Sequence, residues 1–201
     1  MANVDSPFGL KPIRHRNGAP YNGAANPYYV PSTYDTSLFV GEAVTKTGTA
    51  NTAVFEGNGI GTLPEVNKTA AGDGNAITGV VVAAGVNRDS LYVAKHVNST
   101  EGIVWVCDDP DVIFEIQADG AIPATSIGLN AVLIDTHAGS AITHLAGTEL
   151  DTTSDAPEAN ASNQLTIQRA VNRTDNDTTI THAKVEVKIN NHTESAGIIG
   201  I

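Results

Sequence analysis

Six histidines, one cysteine and two acidic turns are the residues of this 201-residue chain whose types could support chemistry. Imidazoles bind transition metals or move protons when two or three converge, and local convergence leaves a spacing in the sequence. His15, His96, His137, His144, His182 and His192 form neither an H-x-H pair nor an H-E-x-x-H pattern. Their spacing predicts separate surface or strand histidines. Cys107 ends the apolar run Ile103-Val104-Trp105-Val106-Cys107, where it reads as a small buried hydrophobe rather than a nucleophile. The clusters Asp108-Asp109-Asp111 and Asp175-Asn176-Asp177 could offer oxygen ligands to a hard cation, but neither has the calcium-loop spacing. Asp and Asn are also common turn formers, and both clusters are read as turns. Glu56-Gly57-Asn58-Gly59-Ile60-Gly61 opens no helix, so it too is read as a turn and not as a phosphate cradle. No catalytic residue, cofactor or metal is assigned, and the chain is read as having no enzymatic activity.

The surrounding pattern is that of an all-β protein. Gly, Ala, Thr, Asn and Val abound and charged residues make up only 16% of the chain, which suits turn-rich β-structure with thin, β-branched cores. No window repeats apolar residues at the helical period over ten or more positions. Residues 1–35 carry Pro7, Pro12, Pro20, Pro27 and Pro31 together with Phe8, Tyr21, Tyr28, Tyr29 and Tyr34, and predict an extended arm that lies against something apolar. Strands are predicted at Leu38–Val44, Leu63–Val66, Ala76–Val86 and Leu91–Val97. Ile103–Cys107 and Asp111–Gln117 are predicted to form a hairpin around Asp108-Asp109-Pro110, with Val112, Phe114 and Ile116 on one face. A second hairpin is predicted between Ala131–Ile134 and Ala141–Leu145. Residues 147–163 read as a polar surface loop. In the last strand, Ala183, Val185, Val187 and Ile189 alternate with Lys184, Glu186 and Lys188, so one face is buried. The expected fold class is a small β-barrel or sandwich, divided into an arm (1–35), a barrel-like domain (36–123) and a second β region packed on it (124–201).

Charge narrows the function. The net charge is −11, yet residues 1–16 hold Lys11, Arg14 and Arg16 against Asp5, so a basic arm precedes an acidic body. Such a body does not suit direct binding of nucleic acid. A single cysteine excludes an intramolecular disulfide scaffold. The start lacks the layout of a signal peptide and no apolar run approaches a bilayer span, so cytoplasmic synthesis and no membrane partner are expected.

The stretches SPFGLKPIRHRNGAPYN, GDGNAITGVVVAAG and LTIQRAVNRTDNDTTITHAKVEVKINNH together resemble the head decoration, or cement, proteins of tailed bacteriophages. The segment from Gly41 to Val81 is similar in layout to the β-tulip decoration proteins of lambda-like phages. The resemblance implies a homotrimer on the outer surface of the virion's capsid, contacting the major capsid protein through an N-terminal arm. Residues Phe8, Leu10, Lys11, Ile13, Arg14 and Arg16 are the arm positions expected to make that contact, with the body folding independently of residues 1–16. The alternative reading is a carbohydrate-binding or adhesin module, or a neck or tail structural protein.

Overall fold

The computed structural model describes residues 3–87, 90–195, 197 and 200. The remaining residues, which include the extreme ends of the expected arm and second region, lie outside the description. The strands are β1 (Lys11–His15), β2 (Asn26–Val30), β3 (Ala43–Ala50), β4 (Pro64–Lys68), β5 (Gly79–Ala84), β6 (Gly102–Cys107), β7 (Val112–Gln117), β8 (Asn130–Ala131), β9 (Leu133–Ile134), β10 (Glu149–Leu150), β11 (Leu165–Ala170) and β12 (Lys184–Ile189). Among the described residues, helix is limited to one 3-10 turn at Ala124–Ser126. None is long and apolar enough to cross a membrane. The protein is all-β: a closed barrel in the order β2-β4-β3-β5-β6, a five-stranded sheet in the order β1-β7-β12-β11-β8, and a short ribbon of β9 and β10.

Alternation along the strands builds two cores. Tyr28, Val30, Leu38, Val44, Val66, Val81, Val104 and Val106 fill the barrel, and their modest size suits a closed five-stranded interior. The neighbouring residues Ala43, Val80 and Cys107 join a second cluster with the sheet's Phe114, Ile116, Leu165, Ile167, Val185, Val187 and Ile189. The sheet therefore packs on the outer face of the barrel. A bulge between Val81 and Ala83 on β5 shifts the alternation where the strand bends. Burying one such aliphatic or aromatic side chain is worth about 1.5–3 kcal/mol.

Several strand partners differ from the sequence expectation. The strands β6 and β7 do not form a hairpin, because the chain turns at Asp108–Asp111 and leaves the barrel for the sheet. There β7 is sandwiched between β1 and β12, which explains why all six of its residues are buried. The crossing between layers thus falls ahead of residue 124. Leu133–Ile134 pairs with Glu149–Leu150 rather than with residues 141–145. The start of the supposed polar loop is consequently buried at Thr148, Glu149, Leu150 and Asp151. Residues 46–50, which lie beyond the strand predicted at Leu38–Val44, extend β3 through Gly48 at φ +87°. Leu91–Val97 is not a strand: Leu91 and Tyr92 are 80% and 82% exposed, and His96 alone makes a bridge, to Leu38.

Candidate functional site

The N-terminal segment is the feature to which the sequence assigns binding, and its course over the body is set residue by residue. Asn3 fastens its start: Nδ2 donates to the carbonyls of Asp177 (2.8 Å) and Thr181 (2.9 Å), while Oδ1 accepts from Asp177 N–H (2.9 Å). Ser6 N–H donates to Gln117 Oε1 at 3.3 Å. Leu10 N–H then donates to Gly41 O at 2.8 Å, and its side chain enters the shared core at 1% exposure. Residues 11–15 add β1 to the edge of the sheet beside β7, with a bulge between Pro12 and Arg14. Proline is compatible with such an edge position. Past β1, the turn at Gly18 folds the chain back, so that Tyr21 N–H donates to Ile13 O.

The segment is therefore an integral edge of the sheet and not a free arm, and its candidate residues divide. Leu10 faces the core, and at 1% exposure it offers almost no surface to a partner. Arg14 is committed to the body through Glu186 Oε2 at 2.5 Å, an oxygen shared with Arg169 Nε at 2.8 Å. Burial alone would raise the Glu186 carboxyl, but the two guanidiniums hold it below the ordinary glutamate range. Ile13 and Phe8 are half-buried, while Lys11 and Arg16 are exposed. Among the described residues neither exposed base is in an ion pair.

Phe8, Leu10 and Lys11 come together on one groove of about 1120 Å³. Pro7, Pro12, Tyr21, Val82, Trp105 and Leu145 contribute to its walls. Trp105 is 37% exposed because Val104 and Val106 point into the barrel, a consequence of alternation that the sequence already carries. The groove also contains a forked ion pair, with Arg173 Nη2 at 2.8 Å from Glu115 Oε1 and Nη1 donating to Oε2 at 3.2 Å. Arg16 lies apart, in a smaller hollow with His15, Asn17, Asp109 and Asp111. Arg173 and Glu115 were not legible as site residues, since nothing in their spacing links β7 to the turn before β12.

The motifs read as structural have structural partners. Asp108 accepts from Asn26 Nδ2 at 3.0 Å and Tyr28 Oη at 2.8 Å, and Asp109 lies 3.3 Å from His15 Nδ1. Asp175 pairs with Arg173 and Lys184. The glycine-rich turn is plugged by buried Asn51, whose Nδ2 donates to Ala53 O and Gly59 O at 2.8 Å and whose Oδ1 accepts from Leu63 N–H at 2.9 Å. Cys107 is buried, and burial pushes its thiol up to about 11. The expectation of scattered histidines fails at one place: His137 and His182 converge on Asp5 and Glu149. No family model, curated protein or solved structure matches this chain.

Proposed function

We propose that this protein is a binding component of a tailed-phage virion that cements the outer surface of the head, and that it has no catalytic role. The observation that carries the reading is the placement of Phe8 and Lys11 along an open groove beside half-exposed Trp105, on a chain that is acidic elsewhere. An apolar groove rimmed by a base suits a protein surface that presents apolar and acidic side chains. The resemblance of the N-terminal and C-terminal stretches to decoration proteins supplies the partner, the major capsid protein, and the homotrimeric state.

In this reading the work is done by binding. A protein that spans neighbouring shell subunits binds the closed shell better than the open one and stabilises it by that difference. Three copies about one axis raise the effective concentration of each contact, so a weak groove holds durably.

The test mixes purified protein with expanded shells that lack it, followed by cryo-electron microscopy and heat challenge. Added density at threefold positions and a more heat-resistant shell support the proposal, and F8A combined with K11E should reduce occupancy by at least about tenfold. Unchanged occupancy in that double variant removes the groove from the mechanism, and absence of any binding removes the cement reading. The exposed Trp105 beside half-buried Tyr21 in the groove wall favours glycan binding as the second reading, because aromatic faces stack on sugars. A glycan array separates the two.

A further inference from the structure

We infer that Asp5, His137, Glu149 and His182 form a site for one transition-metal ion of the zinc type, which clasps the N-terminal segment to the body. Asp5, His137 and Glu149 each offer a ligand atom, and these atoms lie within 4.8 Å of one another. Each carboxylate is bracketed by two imidazoles. His137 approaches Asp5 Oδ2 through Nε2 at 3.5 Å and Glu149 Oε2 through Nδ1 at 3.3 Å, whereas His182 Nδ1 approaches Asp5 Oδ1 at 3.7 Å and Glu149 Oε1 at 4.0 Å. Metal–ligand bonds of about 2.0–2.2 Å in a tetrahedron separate the ligands by about 3.4 Å, close to the 3.5 Å and 3.7 Å that part the His137 and His182 nitrogens from Asp5.

The hydrogen bonds assign a lone pair to each ring. The Thr136 hydroxyl donates to Glu149 Oε2, so toward His137 Nδ1, 2.9 Å away, it can only accept. The proton of a neutral His137 is therefore on Nδ1, and the bare Nε2 faces Asp5. At His182, Nδ1 lies 3.4 Å from Gln117 Nε2, an amide nitrogen that can only donate, so the lone pair of Nδ1 is turned toward the same space. The same amide nitrogen also meets Glu149 Oε1 at 3.1 Å and Asp5 Oδ1 at 3.3 Å, three acceptors for two protons. Glu149 adds a second observation. Its side chain is 1% exposed, and among the described residues its ion pairs are with these two histidines and with no lysine or arginine. Two carboxylates and two imidazole lone pairs that share one space lack a positive charge, and a divalent cation supplies it.

The graded exposure gives the ion a way in: Asp5 and His137 side chains are each 44% exposed and His182 27%, above buried Glu149. Since the ligands come from the N-terminal segment, the 135–148 loop, β10 and the turn before β12, the ion stabilises the arrangement of all four.

The experiment uses the full chain without an affinity tag, stripped with EDTA and titrated with zinc chloride by calorimetry, with cobalt chloride as the spectroscopic probe. One ion per chain, intense tetrahedral cobalt bands and a raised melting temperature are expected. H137A and D5N, both at exposed side chains, should stay folded by circular dichroism and weaken zinc binding at least about tenfold. Absence of saturable binding, a cobalt spectrum that stays that of the hydrated ion, or unchanged affinity in the H137A/H182A double variant overturns the proposal.

Discussion

Gly9 and Gly41 pass each other backbone against backbone: a methyl group on Gly9 would lie 2.4 Å from the carbonyl oxygen of Gly41, and one on Gly41 would lie 2.4 Å from that of Phe8. Both residues have positive φ, +69° and +93°. Their closeness lets Leu10 N–H reach Gly41 O and fixes where the N-terminal segment crosses the barrel. Gly41→Ala should cost about 3 kcal/mol, combining left-handed strain with backbone overlap. Gly48→Ala, at φ +87° with nothing near its Cβ position, isolates the conformational part at about 1 kcal/mol. Equal urea midpoints for the two variants would show that the crossing tolerates a side chain.

Leu10 makes the segment part of the fold. Leu10→Ala should lower stability by about 2–5 kcal/mol, read from urea unfolding. Deleting residues 1–16 removes that anchor together with β1, and bares the edge of β7. The sequence leads to the expectation of a body that folds without these residues; with β1 and Leu10 packed on it, the truncated chain should unfold at a markedly lower temperature. A melting temperature equal to that of the full chain would contradict the packing described for Leu10.

Removing the guanidinium of Arg14 leaves Glu186 with Arg169, so the loss should be modest. Arg14→Ala is expected to cost about 1 kcal/mol, and Glu186→Ala, which strands two bases, should cost more. A double-mutant cycle with coupling near zero would place the pair among contacts without energetic weight.

Acid should weaken the protein through His96 and His192. Both rings are buried, which holds them below the ordinary histidine range, with neighbouring Lys95 adding to the effect at His96 and Glu194 opposing it at His192. A histidine held low in the folded state takes its proton earlier when unfolded. Its contribution is therefore complete above the ordinary range near 6.5 and is lost as pH falls through that range toward the folded values. Urea midpoints should decline from pH 7.5 to pH 5, and His96→Gln should make that decline shallower. An identical slope in the variant would exclude His96 as a contributor.

The legible part of the fold was what alternation alone determines. The seven residues from Ala183 to Ile189 announced a strand with one buried face, and Val112, Phe114 and Ile116 announced a core. Pairing was less legible, because Asp108-Asp109-Pro110 has the chemistry of a hairpin turn whether the next strand returns beside the last or crosses to another layer. Glu149 and Leu150 were hidden within an acidic stretch whose composition resembles a loop. Of the binding segment, Phe8 and Lys11 carried their signal in residue type, while the burial of Leu10 depends on Gly41, far along the chain. Asp5, His137, Glu149 and His182 share no local spacing, so only the three-dimensional path brings them together.

The strand order β1-β7-β12-β11-β8 also dictates a timetable for synthesis. The barrel is complete once residue 107 has left the ribosome, but the middle of the sheet is occupied by β12, which is made after the four other strands of that sheet. Until then the core around Ile77, Val80 and Cys107 lacks Val185, Val187 and Ile189, and β7 has no neighbour on that side. Nascent chains halted before residue 183 should therefore expose a sticky apolar wall on a finished barrel and recruit holding chaperones, and release from them should coincide with emergence of β12.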